Sequence, residues 1–311
     1  MNPDTKNNNV LPDVAFVTVN YNTKRLLVDL VEFFKATTFP FRYTLTVVDN
    51  ASTDDSLDYL ESCHNVCLVK NLENIGYGRA MNRGIAASRG KYVCAMNTDL
   101  VLNKEALIAV WDHLESHKET GVVSPAICYP GGRIQGFVFY GWKWLLYSNL
   151  LCKVTAKFLK VRIEFGKRPF RVDGVLGAFI FLRRDICLDG MLFDEDFFFY
   201  FEDTDLAHRL MKRGVRCDVL PTNRIVHLGG QSTNIRNSIQ YYRSKYMYAE
   251  KHYGREFTYK LIDLDARRIR RKIRIYFLLG KICPIASLVK KFALYSSVGS
   301  MFQSLSSDLK K

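Results

Sequence analysis

The chain has 311 residues, of which 48% are hydrophobic and 24% charged, so its composition is that of a folded globular protein and excludes a largely disordered one. This length is enough for one large α/β domain or two smaller domains. The formal net charge of +14 favours anionic partners, namely nucleotides, nucleic acid or acidic lipid head groups, without choosing among them.

The first part of the chain alternates strand and helix patterns. Residues 1–12 are polar and are expected to form a disordered tail with no secretory signal. Apolar β-branched runs predict strands at residues 14–19, 44–48, 66–69 and 92–96. Apolar residues at helical spacing predict helices at residues 26–34, 78–87 and 107–114. This alternation predicts a mostly parallel sheet with helices on both faces.

The later part of the chain is less regular. A buried strand is predicted at residues 177–182, and a helix after Glu202 and Asp203 that ends at Gly214. His227 follows a further strand-like run, and a lone histidine is more often structural than a ligand. The eight cysteines are scattered without zinc-type spacing, which is typical of free thiols in a reducing cytosol.

Polar turns follow three of the predicted strands, at the edge where such sheets bind ligands. They are Asn20-Tyr21-Asn22, residues 49–55 and Asn97-Thr98-Asp99. Asn, Asp and Ser are also ordinary turn and N-cap residues. Because three such turns meet at one edge, we favour a binding site over that interpretation.

Two further segments carry candidate chemistry. Gly76 and Gly78 lie at the start of a predicted helix, where backbone N–H groups can approach a diphosphate, although one such glycine pair is a weak signal. Arg79 suits an anion or a solvated helix surface. Five aromatic residues, 197–201, directly precede Glu202 and Asp203, so partial desolvation is expected to raise a carboxyl pKa toward that of a general base. Helix capping by the same acidic residues is the alternative, and the two roles can coexist.

The motifs and their order along the chain resemble those of glycosyltransferase family 2, and especially of its bacterial rhamnosyltransferase-like branch. Enzymes of that branch act in polysaccharide and O-antigen synthesis. The resemblance covers about residues 13–232 and depends on Val17–Asn22, Val47–Asp54, Asn74–Asn82, Asn97–Asp99, Gly177–Ala178, Phe201–Asp205 and His227. It implies a GT-A fold, a Rossmann-like sheet flanked by helices, over residues 13–258. Residues 13–124 would be the nucleotide-sugar half and residues 125–258 the acceptor half.

The resemblance also implies a reaction and its residues. The reaction is transfer of a sugar, with inversion, from a nucleotide-diphosphate donor such as dTDP-rhamnose or a UDP-sugar, helped by Mg2+ or Mn2+. Donor-binding positions are matched by Val19, Asn20, Asp49, Asn50, Gly76, Arg79, Asn97 and Asp99. Asp203 matches the general base, Asp99 and His227 match metal ligands, and Glu202 and Asp205 are acceptor-side candidates. Asn97 replaces the first Asp of the family's DxD motif, so weaker metal binding is expected.

Most of the positive charge lies in two segments. Residues 133–171 carry a net charge of +8 and residues 260–311 a net charge of +9, which leaves −3 for the rest. The first segment mixes basic and aromatic residues, and residues 259–311 are predicted to form a basic amphipathic helical extension. Both suit an anionic membrane surface and a lipid-linked saccharide acceptor, or else they pack on the domain. We therefore expect a cytoplasmic protein held peripherally at the inner face of the cell membrane, without a spanning segment.

Two alternatives to this enzyme stay open. The charge alone is compatible with a nucleic-acid-binding protein, but the sequence has no matching signature and its α/β body is mildly acidic. No nucleic-acid partner is therefore expected. A sugar-nucleotide-binding homologue with weak or no catalysis is the second alternative, because Asn97 removes one carboxylate from the expected site.

Overall fold

The computed structural model describes residues 11–135, 145–146, 166–188, 190–229, 235–282 and 296. The first elements are β1 (Val14–Asn20), α1 (Lys24–Ala36), β2 (Tyr43–Asp49), α2 (Ser56–Glu61), β3 (Cys67–Lys70), α3 (Tyr77–Ala87), β4 (Tyr92–Asn97), β5 (Leu100–Val101) and α4 (Lys104–Ser116). They are followed by β6 (Thr120–Cys128), β7 (Phe170–Val172), β8 (Phe179–Arg183), α5 (Glu202–Lys212), β9 (Arg216–His227) and α6 (Ile235–Ile282). The elements form two compact units, one with all the strands and α1–α5, the other with α6 and residues 199–201.

The strands of the first unit form one mixed sheet. Within the described residues its order is β3-β2-β1-β4-β8-β6-β9-β5, with β7 also paired to β9. Strands β3, β2, β1 and β4 run parallel, whereas β8 is antiparallel to both β4 and β6. The carboxyl ends of β1, β2 and β4 therefore meet at one edge, as the sequence predicts.

Helices cover both faces of this sheet. Along β1, Phe16 belongs to a buried apolar cluster that includes residues of α1 and α4, while Val17 belongs to a second cluster that includes residues of α3 and α5. Successive strand residues point to opposite faces, so this alternation buries apolar side chains on both sides. Each such fully buried side chain stabilises the fold by roughly 1.5–3 kcal/mol. The predicted sheet between two helical layers is confirmed.

The sequence pattern does not predict β6, although this strand lies between β8 and β9. All nine of its residues are buried, so both faces of the strand are covered. Such a strand lacks the alternation of hydrophobic and polar residues that marks a strand with one exposed face. It also contains Gly121 and Pro125, which have low strand propensity. Its place in the sheet comes from long-range pairing with β9 from Thr120 to Cys128.

In the second unit, α6 changes direction at Gly254, which has φ of +82°. Lys245 Nζ lies 2.5 Å from Asp265 Oδ2, although a straight helix would separate these residues by about 30 Å. The two parts of α6 therefore fold back on each other, and this buried ion pair joins them. The predicted boundary between residues 258 and 259 falls within α6 and stays a prediction.

Three of the predicted segments lie mostly outside the residues that the structure describes. The predicted tail lies mostly there, as do most of the basic segment 133–171 and most of the extension beyond residue 282. None of the helices that the structure describes is both long enough and apolar enough to cross a membrane. The cysteines in the described ranges are free thiols.

Candidate active site

A hydrogen-bond network joins the carboxyl ends of β1, β2 and β4. Asn20 Nδ2 donates to Asp49 Oδ2 at 3.0 Å and to Ser52 Oγ at 2.9 Å. Asn20 Oδ1 accepts from Thr23 Oγ1 at 2.7 Å, and that hydroxyl lies 3.0 Å from Thr98 Oγ1. The polar turns predicted to share one edge are thus connected. This network fixes the shape of the edge.

Val19 and Asn97 lie at the same edge, as neighbours in the paired register of β1 and β4. The backbone amide of Asn97 donates to the Ala178 carbonyl oxygen at 3.0 Å. The end of β4 is thereby tied to the turn that precedes β8.

Asn50 holds the loop between β3 and α3. Its Oδ1 accepts from Asn71 Nδ2 at 2.9 Å and from the Ile75 amide at 3.2 Å. Its Nδ2 donates to Asn74 Oδ1 at 2.9 Å and to the Gly76 carbonyl oxygen at 3.4 Å. The side chain is buried, so its amide supports the loop from beneath.

The segment 193–198 packs against the glycines at the start of α3. Gly76 has φ of +88°, and a Cβ added there would lie 2.5 Å from the Phe198 carbonyl oxygen. A Cβ on Gly78 would lie 3.1 Å from Phe193 Cβ. The space that these two glycines leave open is therefore occupied by the protein's own segment 193–198. Arg79 faces the same segment, with Nε 3.4 Å from Glu195 Oε2, and is about half exposed.

Strand pairing brings Asp99 and His227 together. Leu100 pairs with His227 in the antiparallel ladder of β5 and β9, and the Leu228 amide donates to the Asp99 carbonyl oxygen at 3.0 Å. As a result His227 Nε2 lies 3.1 Å from Asp99 Oδ1. The other ring nitrogen, Nδ1, lies 2.7 Å from Gln135 Oε1. The two predicted metal ligands thus form one pair.

This pair fits a divalent ion bound together with a diphosphate. Among the described residues, no three His, Cys, Asp or Glu side chains form a metal-binding group by themselves. Mg2+ in nucleotide sites is often held by only one or two carboxylates, with substrate phosphates as further ligands. Asp99 and His227 would supply an oxygen and a nitrogen, and the diphosphate the remaining oxygens.

Asp203 lies at the first turn of α5 and faces the turn before β8. Its Oδ2 accepts from the Gly177 amide at 3.1 Å, and its Oδ1 accepts from Thr204 Oγ1 at 3.3 Å. Burial raises the pKa of Asp203, although these hydrogen bonds partly oppose the shift. The residue as a whole is only partly buried, and its pKa is shifted in the direction that a general base requires.

Glu202 is more deeply buried than its neighbour, with 8% of the residue exposed. Its Oε2 has no hydrogen-bond partner within the described residues. Burial, and then the charge of Asp203, raise the pKa of Glu202 well above its usual range. Asp205, the other acceptor-side candidate, is fully buried and accepts from Arg209 Nε at 2.6 Å.

Tyr77 is a site residue that the sequence reasoning did not identify. Its hydroxyl donates to the Gly177 carbonyl oxygen at 3.1 Å. The backbone amide of Gly177 in turn donates to Asp203, so both side chains bind the same residue. Burial raises the pKa of Tyr77, and the charges of Glu202, Asp203 and Asp99 raise it further. The phenol is therefore a neutral donor among three carboxyl groups. The sequence feature that could have identified Tyr77 is its position between Gly76 and Gly78.

Comparison with known proteins shows which family has this sequence pattern. The sequence model of glycosyl transferase family 2 matches residues 15–186, more than half of the chain. An N-acetylglucosaminyl-diphospho-decaprenol L-rhamnosyltransferase of Mycobacterium tuberculosis is 26% identical over an alignment of length 235. The match covers 68% of this chain and 76% of that protein. The dTDP-rhamnosyl transferase RfbF of Shigella flexneri is 24% identical over an alignment of length 200, and that match covers 61% of this chain and 62% of RfbF.

A solved structure extends the comparison to the fold. The mannosyltransferase PcManGT of Pyrobaculum calidifontis, in complex with GDP-Man and Mn2+, has a TM-score of 0.57 and 13% sequence identity. The match covers 96% of this chain and 88% of that chain. At this identity the likeness concerns the fold alone.

Proposed function

Because the chain belongs to glycosyltransferase family 2 and has the GT-A fold, we propose that it transfers a rhamnosyl group, with inversion, from dTDP-rhamnose to a lipid-linked saccharide acceptor. Glycosyl transfer itself follows from the family. The donor, the acceptor and the assigned residues are the proposal. The product would enter a bacterial surface polysaccharide such as O-antigen.

The sequence relatives are the observation that carries the choice of donor and acceptor. Both relatives named above are rhamnosyltransferases, and the mycobacterial one is named for a decaprenyl diphosphate acceptor that bears N-acetylglucosamine. A UDP-sugar, the other donor that the sequence motifs leave open, is the alternative.

Asp203 would act as the general base on the acceptor side. The acceptor hydroxyl loses its proton to the Asp203 carboxylate while its oxygen forms a bond to the anomeric carbon. The bond from that carbon to the diphosphate oxygen breaks in the same displacement, so the configuration inverts. A pKa raised by burial increases the proton affinity of Asp203. No covalent nucleophile is needed.

Asp99 and His227 would hold Mg2+ or Mn2+ at the donor diphosphate, on the side of the anomeric carbon opposite Asp203. The charge of the ion would stabilise the negative charge that develops on the diphosphate leaving group. Arg79, which is about half exposed and lies beside Glu195, would be a second cation for this charge. Asn20 and Asp49 shape the strand edge, Asn50 supports the loop that ends at Gly76, and Val19 and Asn97 line the same edge. We place the nucleotide along this edge.

The second unit presents a surface suited to an anionic membrane. Arg270, Arg271 and Arg274 are exposed on α6. Phe277 and Leu278 follow them with 47% and 59% of the residue exposed. Basic residues beside exposed apolar ones favour the surface of a bilayer with acidic lipids. This would place the enzyme near a lipid-linked acceptor.

Transfer is tested with purified protein, dTDP-rhamnose or UDP-sugars as donors, and a polyprenyl diphosphate N-acetylglucosamine acceptor. We expect acceptor-dependent release of dTDP and a product one rhamnose heavier by mass spectrometry. Asp203→Asn should abolish transfer while donor affinity changes less than threefold, whereas Asp196→Asn, on an exposed nearby residue, should leave both unchanged. Full transfer by Asp203→Asn would refute the general-base assignment. Transfer from UDP-sugars alone would refute the donor.

Membrane binding is tested by flotation with vesicles that contain phosphatidylglycerol. Replacing Arg270, Arg271 and Arg274 with Glu should reduce the bound fraction at least tenfold. The matched control replaces three exposed cations of the first unit, Arg89, Lys104 and Lys118, with Glu and should still bind. Equal loss in both variants would mean that net charge alone is responsible, which contradicts a specific surface on α6.

A further inference from the structure

Gln135 contacts His227 twice. Its Nε2 donates to the His227 backbone carbonyl oxygen at 2.9 Å, and its Oε1 lies 2.7 Å from His227 Nδ1. The Gln135 backbone amide donates to the Ile127 carbonyl oxygen at 2.9 Å, which ties this residue to the end of β6. Gln135 therefore holds both the main chain and the ring of His227.

The chemistry of these partners fixes the orientation of the amide. A backbone carbonyl oxygen only accepts hydrogen bonds, so the NH2 group of Gln135 faces it and Oε1 faces the ring. An amide oxygen also only accepts, so Nδ1 of His227 carries a proton. In a neutral imidazole the other nitrogen, Nε2, then has a bare lone pair.

That lone pair is directed at a carboxylate. His227 Nε2 lies 3.1 Å from Asp99 Oδ1. In the neutral ring two acceptors therefore face each other, and a cation between them satisfies both, either a metal ion or the proton of an imidazolium. The backbone pairing of β5 with β9 holds the two residues at this separation. The tautomer of His227 thus decides whether Nε2 can be a ligand.

We propose that Gln135 is a positioning residue that selects the Nδ1-protonated tautomer of His227 and so makes Nε2 the ligand nitrogen beside Asp99. The inference rests on the proposed function, in which a divalent cation at this pair holds the donor diphosphate. Hydrogen-bond partners of metal-binding histidines fix the ring and its tautomer, and their loss weakens metal binding by about 10- to 100-fold.

The tautomer is measured directly by long-range 1H–15N NMR of the histidine rings in the full chain. The His227 signals are those that disappear in His227→Asn. At a pH high enough to keep the ring neutral, we expect a protonated Nδ1 and a bare Nε2 without metal, and a shift of the Nε2 signal on addition of Mg2+ and dTDP. Gln135→Leu should lose this tautomer preference. Gln135→Glu should keep it, because a carboxylate still accepts from Nδ1.

Metal affinity is the second measurement, with Mn2+ in the presence of dTDP followed by the electron paramagnetic resonance signal of free Mn2+. We expect about 10- to 100-fold weaker binding in Gln135→Leu. Binding within threefold of wild type is expected in Gln135→Glu and in the control Gln240→Leu, which alters a glutamine of the second unit. A proton on Nε2 of the neutral wild-type ring overturns the proposal, as does wild-type tautomer and affinity in Gln135→Leu.

The two proposals fail separately. The NMR measurement needs neither donor turnover nor acceptor, so the expected tautomer together with absent sugar transfer would count against the proposed function only. Rhamnosyl transfer together with the opposite tautomer would overturn the role of Gln135 and leave the proposed function standing.

Discussion

Asp218 lies on β9 at a buried junction with α4 and β6, and its replacement allows a quantitative test. The residue is fully buried on β9 and accepts from His113 on α4 at 3.1 Å, from Thr120 on β6 at 2.6 Å and from Arg216 at 2.8 Å. Burial raises the pKa of Asp218, but these three hydrogen bonds outweigh it and lower the pKa from 3.8 to about 2. The folded protein therefore favours the ionised carboxylate.

A shift of this size corresponds to about 2.5 kcal/mol of stability, at about 1.4 kcal/mol for each pKa unit. Because the folded pKa is lowered, this stability is present above pH 4 and is lost as the pH falls toward 2. Asp218→Asn should reduce the free energy of unfolding by about 2–3 kcal/mol at pH 7, and the melting temperature by about 5 °C. The difference between the two proteins should shrink as the pH falls from 4 to 2.

Urea unfolding of both proteins at pH 7, 4 and 3 measures this difference. Asp112→Asn, an exposed neighbour of His113, is the matched control and should change stability by less than about 0.5 kcal/mol. A difference between wild type and Asp218→Asn that is the same at pH 7 and pH 3 would refute the reasoning. A difference below about 0.5 kcal/mol at pH 7 would do so as well.

Three further changes test the site itself. Tyr77→Phe removes the donor that holds the turn beside the general base, so kcat for transfer should fall about tenfold with little change in the donor KM; an unchanged kcat contradicts this role. Glu202→Gln imitates the protonated side chain. Because the pKa of Glu202 is raised in the folded protein, the wild type should lose stability relative to this variant as the pH rises above about 4.3. A difference in melting temperature between the two proteins that stays constant from pH 5 to 8 would argue against the raised pKa. Gly76→Ala should destabilise the protein by more than about 2 kcal/mol, because its Cβ would lie 2.5 Å from the Phe198 carbonyl oxygen at φ of +88°. Gly190 has φ of +77°, and a Cβ added there would have no atom of the described residues within 4 Å, so Gly190→Ala measures the cost of the dihedral angle alone. Equal losses for the two variants in chemical denaturation would rule out the steric contribution.

The first half of the fold could be predicted because its elements carry local signals. The predicted helix at residues 78–87 and strand at 92–96 correspond to α3 and β4, since helical spacing and apolar runs are properties of consecutive residues. Strand β6 and the fold-back of α6 at Gly254 have no such signal. They depend on pairing between segments far apart in the sequence.

The sequence by itself determined which residue types stand at the strand ends, and the order of its motifs identified the family. Only the tertiary structure decided which of them meet: antiparallel pairing of β5 with β9 joins Asp99 to His227, and the close approach of α3 to the turn before β8 places Tyr77 beside the Asp203 site. Gln135 gave no local signal, because its role consists of two hydrogen bonds to a residue on another strand. Local conformation follows from neighbouring residues, whereas a site depends on long-range packing that propensity and periodicity do not contain.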